Sequence, residues 1–339
     1  MIPFREQLLR LARLLVESEG PAYSLRPEVL ELGRMLAELP TISSPRNENI
    51  ALGETRTPHG LALSPTMAGM CMDDFVRTIA FMRGAHAAIT DLWKQSPGRP
   101  VQFLYAGCGP HAILVLPLMA LLPPNEVSFT LVDIHPDSIQ SAQATINALG
   151  LENSVAHFET VDATLYQINP NRPPDIILVE TMQAALEAEP QVAIALHLIG
   201  QSPPAVLLPE EVRVDLVLVN PSREFDQNGQ ALPERDRIQV GPLFVLNRET
   251  VKSWERDEAG PLPAARVRLP EPLEARYEPM LFTSVRVYGS HVLKDYDSGL
   301  TCPRRPRIEG QIRSGAVIEF RYELGSRPGL AGKVMSRPV

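Results

Sequence analysis

The chain has 339 residues, 44% hydrophobic and 21% charged, a globular rather than a disordered composition. That length exceeds what one core serves comfortably, so two domains are expected. Thirty-two basic against forty acidic residues give a net charge of -8, which excludes a general nucleic-acid binder with a basic footprint.

Cys71, Cys108 and Cys302 are far apart and form no C-x-x-C pair. A disulfide framework or a metal site is therefore not expected, and the reducing cytoplasm is the expected compartment. The sequence offers no run of about 18 apolar residues to span a membrane. The N-terminal stretch carries Glu6 and lacks the long apolar region of a signal peptide.

Phe4, Leu8, Leu11, Ala12 and Leu15 recur at helical spacing and predict a helix over 4–16. Pro27 opens a second over 27–39, and Pro40 ends it. Residues 41–58 turn polar and read as a loop. Residues 1–58 thus form a helical N-terminal segment. A long helix follows over 73–92, with Phe75, Ile79, Met82, Ala85, Ile89 and Leu92 on one face.

From Val101 onward, short apolar runs alternate with helical patterns. Strands are expected at 101–107, 126–134, 154–162, 175–181 and 205–209, and helices at 110–122, 136–150 and 189–200. Such alternation predicts a mostly parallel α/β sheet covered on both faces, within a domain over 59–209. After Pro209 the helical signals thin out. Strands at 212–220, 238–246, 265–269, 281–289 and 316–324 predict an antiparallel, barrel-like domain over 210–339.

Gly107-Cys108-Gly109 sits between the first strand and the next helix. Two glycines there permit a tight turn and close backbone approach to a ligand. Asp133 ends the next strand, where a carboxylate can accept from both hydroxyls of a ribose; Asp162 ends the third, where an adenine edge would lie. Two cofactor readings fit. Gly107 to Ala112 satisfies G-x-G-x-x-A, with an acidic residue 24 positions after Gly109. The same features also fit S-adenosylmethionine (SAM).

The segment after the fourth strand separates the two. Glu180 and Glu189 stand nine positions apart, with Met182 two after the first. Here the sequence resembles the protein arginine methyltransferase family, in which two glutamates at that spacing grip the substrate guanidinium. Asp74-Phe75-Val76-Arg77-Thr78 is similar to the family's D-x-V-R-T helix over the cofactor, and Leu207-Leu208-Pro209 to its crossing into a β-barrel. The resemblance implies a class I methyltransferase, Rossmann-like sheet followed by a barrel-like domain. It implies catalytic roles for Glu180, Glu189 and Met182, and a SAM site made by Arg77, Gly107, Gly109, Asp133 and Asp162, with Arg77 on the methionine carboxylate. It leaves the first 60 or so residues unexplained.

A guanidinium keeps its proton and is a poor nucleophile. Two carboxylates can bond its fork, draw positive charge toward the bonded nitrogens and leave the third more nucleophilic. They also offset repulsion from the sulfonium, about 4 kcal/mol at 4 Å and an effective dielectric near 20.

The sequence departs from the family at several points. Tyr105 replaces an acidic strand end, His111 replaces the last glycine of the turn, and Thr181 and Ala184 replace aromatic residues. The family's Thr-His-Trp closing loop has as its counterpart residues 296–303, with neither His nor Trp. A changed loop suggests a changed substrate. Asp297 or Ser298 is a candidate for holding the amino group of a free amino acid, and Arg304 or Arg305 its carboxylate. Cys302 has no base fixed by the sequence and is read as structural.

The expected activity is methylation of a small guanidino compound, L-arginine first, as in natural-product biosynthesis. The alternatives are protein arginine, another small-molecule amine, a non-catalytic binding module and, last, a nicotinamide oxidoreductase. The resemblance also implies a homodimer, for which residues 220–237 or 249–262 are candidate arms.

Overall fold

The computed structural model describes residues 2–39, 49–225, 234–254 and 260–335. The amphipathic pattern at the N-terminus forms α1 (Ile2–Glu17) and α2 (Arg26–Ala37), which bury Leu8, Leu11, Leu15 and Leu32. An antiparallel hairpin follows, β1 (Thr55–Thr57) with β2 (Gly60–Ala62). The polar loop expected over 41–58 is thus corrected at its end, because Thr55–Thr57 pairs with the strand beyond the turn; residues 40–48 lie outside those described. Then come α3 (Pro65–Met70) and α4 (Phe75–Gln95).

The alternating segment forms β3 (Val101–Ala106), α5 (Leu116–Leu121), β4 (Val127–Asp133), α6 (Pro136–Ala148), β5 (Val155–Thr160), β6 (Ile176–Val179), α7 (Gln191–Gln201) and β7 (Val206–Leu208). All five strands are parallel in the order β5-β4-β3-β6-β7, a Rossmann-like sheet that reverses direction at β3. Ligands bind such sheets beyond the carboxyl ends of the strands, at that reversal. Gly107, Asp133 and Glu180 are therefore placed together by topology. Helix α5 starts later than the 110–122 pattern implies. Gly107, Gly109 and Ala112 all have positive φ, of 79, 63 and 45°, which an α-helix cannot include.

The rest is strand-rich. β8 (Glu211–Val219) is followed by the short α8 (Pro221–Glu224), β9 (Arg237–Asn247), α9 (Arg248–Ser253), β10 (Leu262–Arg268), β11 (Glu278–Tyr288), β12 (His291–Leu293), β13 (Arg307–Glu309), β14 (Val317–Glu323) and β15 (Gly329–Val334). They form two four-stranded sheets, β12-β11-β8-β9 and β10-β14-β15-β13, antiparallel except for the β13–β15 pair. Their shared core includes Phe244 of β9 stacked on Tyr322 of β14 at 4.6 Å. The candidate dimer arms, 220–237 and 249–262, lie partly outside the described residues.

Helix α4 joins the two halves. A Cβ on Gly84 would come within 2.5 Å of Val287 on β11, so only glycine permits that approach. Asp74 caps the helix by accepting from Arg77 N (3.2 Å), and its other oxygen accepts from Ser298 Oγ (2.7 Å) and Gly299 N (2.9 Å). Arg83 ties down the N-terminal helices, donating to Leu15 O, Gly20 O and Ser18 Oγ at 2.9–3.1 Å. Arg83→Met is expected to weaken docking of α1 and α2 by about 2 kcal/mol, from lost charge-assisted bonds. Hydrogen exchange checks this: unchanged protection of the α1 amides in the variant refutes it.

Candidate active site

One cleft of about 930 Å³ opens at the carboxyl ends of β3, β4 and β6. Arg77, Gly107, Gly109, Asp133 and Asp162 line it, and so do Glu180, Met182 and Glu189. Asp297, Ser298, Arg304 and Arg305 do not line it. Ser298 is bonded to Asp74, Asp297 accepts from Lys294 N at 2.8 Å and Arg305 pairs with Glu278. Recognition of a free amino acid by those four is therefore corrected: local partners turn three of them away, and Arg304 is exposed. Cys302 is exposed too, whereas Cys71 lines the cleft.

At the glycine turn, Gly107 N and Cys108 N donate to Val132 O at 2.9 and 3.1 Å. A Cβ on Gly107 would come within 2.3 Å of Thr181, while one on Gly109 would meet only Ala68, at 3.6 Å. Packing thus demands the first glycine, and the left-handed backbone the second. Asp133 accepts from Gly109 N and His135 N, both at 2.9 Å. Each oxygen keeps a further lone pair for a hydroxyl donor. Asp162 accepts from Thr164 N and Oγ1, which fixes it at the cleft wall.

The two-glutamate loop is strained and braced from outside. Ala185, Leu186 and Ala188 have φ of 60, 56 and 65°, conformations costing about 1–2 kcal/mol each for a residue with a Cβ. The second half of the chain holds them. Ala185 N donates to Thr283 Oγ1 (2.8 Å), Tyr322 OH donates to Leu186 O (2.7 Å) and Ala188 N donates to Pro328 O (3.2 Å). Gln191, 1% exposed, accepts from Thr181 N and donates to Val179 O, closing the base of the loop. On the far side Leu61 N donates to Ala188 O at 2.8 Å, and a Cβ on Gly60 would come within 2.7 Å of that oxygen. Thr55 Oγ1 lies 3.0 Å from His135 Nε2. The hairpin therefore bridges the Asp133 end of the cleft and the glutamate end.

Both glutamates are buried. Burial pushes Glu180 up to about 7, opposed by Arg77 and reinforced by Asp74. Burial, then the charge of Glu180, push Glu189 up to about 8, against a hydrogen bond from Gln183 and the field of Arg77. Two carboxylates out of water cannot both ionise cheaply. Glu180, whose Oε2 is 3.1 Å from Arg77 Nη2, is the one that ionises first as pH rises. Burial works against the Arg77 charge, and Glu180 reverses that. Tyr105, at the end of β3, lines the cleft, and burial together with Glu180 pushes its phenol well up, so it stays neutral and can donate. His111 also lines the cleft, kept neutral by burial.

The donor set fits a cofactor with a ribose and a carboxylate. Arg77 Nε and His111 Nδ1 are buried with no hydrogen-bond partner among the described residues, so each has bonding capacity left for a ligand. Among the described residues no group of three or more His, Cys, Asp or Glu is arranged to hold a metal ion, and no helix is long and apolar enough to cross a membrane. Sequence reasoning missed Gln191, Thr283, Tyr322 and the hairpin. Gln191 lay two positions past Glu189 and was reachable; the others come from distant parts of the chain and carry no local signal.

No family model and no curated protein matches the sequence. Two solved structures similar to it are arginine methyltransferases. One is protein arginine methyltransferase 10 of Arabidopsis thaliana in an open conformation, 11% identical over 75% of this chain and 86% of that one, with a TM-score of 0.48. The other is PRMT6, 11% identical over 71% of this chain and 91% of that one, with a TM-score of 0.44. At such identity and TM-score the functional reading rests on the site itself.

Two outcomes are expected. Tyr322→Phe leaves the Leu186 carbonyl buried without its donor and should cost about 1–3 kcal/mol, read as a lower denaturant midpoint at unchanged slope. The folded chain also holds protons on Glu180 and Glu189 where unfolded glutamates, near 4.5, have lost them. Stability from these groups is thus complete below about pH 4.5 and is lost as pH rises to about 8. Melting temperatures from pH 5 to 9 should fall less steeply in Glu189→Gln; equal slopes would remove the coupled-carboxylate account.

Proposed function

We propose that this protein is a SAM-dependent N-methyltransferase acting on a guanidino nitrogen of a small molecule, with L-arginine the preferred substrate. The observation that carries the reading is the pair Glu180 and Glu189, whose side chains are largely out of water and face the same cleft as the glycine turn, Asp133 and Arg77. Two buried carboxylates that share one ion-pair partner, Arg77 on Glu180, remain costly. A planar cation that bonds both repays that cost, and a guanidinium has the fork to do so.

Asp133 would accept from the ribose hydroxyls, and the free donors of Arg77 would take the carboxylate of SAM. Bound there, SAM supplies a methyl group on a sulfonium. The chain's residues do the rest. Glu180 and Glu189 hold the guanidinium by two of its nitrogens and aim the third; Met182, 4% exposed, packs beneath the loop. Binding the cation draws the proton off Glu189. After transfer, one of the glutamates accepts the proton released from the methylated nitrogen. The hairpin across the cleft supports a small substrate over a polypeptide, because Leu61 is bonded to the loop that carries both glutamates.

The test is mass spectrometry of the protein incubated with SAM and either L-arginine or an arginine-rich peptide. A methylated amino acid is expected in the first reaction. A product from the peptide alone would move the chain to the protein-modifying branch. Glu180→Gln should retain SAM binding and lose turnover about a hundredfold or more, the scale for removing one preorganised electrostatic partner. Near-normal turnover in that variant removes the clamp.

A further inference from the structure

The Arg77–Glu180 pair has a second meaning. Arg77 Nη2 lies 3.1 Å from Glu180 Oε2, with both side chains more than nine-tenths buried. Arg77 is itself a guanidinium, and Glu180 is half of the proposed guanidinium clamp. We propose that Arg77 is the clamp's internal occupant: it fills the Glu180 half of the substrate site until a cofactor carboxylate draws it away, which makes substrate binding conditional on the cofactor. The proposal rests on the guanidine-methyltransferase reading above.

Three observations support it. First, Arg77 Nη2 already stands 3.1 Å from Glu180 Oε2, so a second guanidinium on that carboxylate would be brought close to a like charge in a buried site. Second, Arg77 is under-used where it stands. Its Nε is buried with no partner, and Glu180 is the one carboxylate within ion-pair distance among the described residues. A second anion thus has donors waiting, and Arg77 stays paired on moving toward it, while Glu180 is left for an incoming guanidinium. Third, Glu189 has no ion pair among the described residues and favours its protonated form. It cannot recruit a cation alone. With Arg77 on Glu180 and a proton on Glu189 the cluster is close to neutral and offers a guanidinium no net attraction. Transfer of Arg77 to a cofactor carboxylate frees one full negative charge, and that charge creates the attraction.

The consequence is a binding order enforced by charge. Substrate and cofactor should also couple reciprocally, because each helps the other take its share of the Arg77–Glu180 pair. The carboxylate is the operative part of the cofactor; its adenosine plays no part in moving Arg77.

Isothermal titration of L-arginine tests this without turnover, using the full chain in three states: alone, saturated with S-adenosylhomocysteine, and saturated with 5′-methylthioadenosine, which keeps the adenosine and thioether and lacks the amino-acid carboxylate. Wild type should bind L-arginine at least about tenfold more tightly with S-adenosylhomocysteine than alone, within the usual span of coupling between sites, and methylthioadenosine should give no such gain. Arg77→Gln, checked for an unchanged melting profile, should bind L-arginine with no cofactor present and gain nothing from S-adenosylhomocysteine. A merely structural arginine would produce no gain of binding on removal. Equal affinity of wild type for L-arginine in all three states, abolished by Glu180→Gln, would overturn the internal occupant and leave the clamp standing. No binding by wild type with S-adenosylhomocysteine and none by Arg77→Gln would overturn both.

Discussion

Two carboxylates held out of water in a single loop are the constraint around which this protein is organised. Glu180 and Glu189 repel each other, and burial penalises the charge of each. Such an arrangement persists only if other parts of the structure over-determine it. The loop adds strain of its own, with three residues in the left-handed region. Neither cost is offset within the loop, so its support has to come from elsewhere in the chain.

That support explains why the strand-rich second half is needed beside a sheet that already presents the glycine turn and the Asp133 carboxylate to one cleft. Thr283 of β11, Tyr322 of β14 and Pro328, just before β15, bond Ala185, Leu186 and Ala188 of the loop. The stacking of Tyr322 on Phe244 links the bracing hydroxyl to the core of that half. Helix α4 fixes the other side of the cleft. Its cap, Asp74, is held by the 298–299 turn, and its contact with β11 depends on Gly84. Arg77 therefore enters the cleft from a helix anchored to both halves. The loop over 296–303, which has neither His nor Trp, braces the helix from outside the cleft.

Much of the first half was legible. The 3.6-residue periodicity marks α1, α2 and α4, and short apolar runs mark the five parallel strands, because burial writes itself into local sequence. The eight candidate residues come from the glycine turn, the acidic strand ends and the family resemblance, and the fold brings all of them to one cleft. The errors have physical causes. The helix expected over 110–122 is cut short because Ala112 adopts a positive φ that its side chain does not advertise. The β1 strand has no local signal, because its three polar residues carry no periodicity and pair with β2 through the backbone.

The sequence by itself determined the alternation of strands and helices, the glycine turn, the acidic strand ends and the paired glutamates, since each is set by neighbours within a few residues. Tertiary structure alone decided three things: that Arg77 meets Glu180, that the hairpin lies across the cleft, and that Tyr322 and Thr283 hold the loop in its strained shape. Those contacts join residues about 100 or more positions apart, and no local pattern records them. They also set the charge of the site, because a carboxylate's proton affinity depends on the water and the charges around it, and packing alone fixes both.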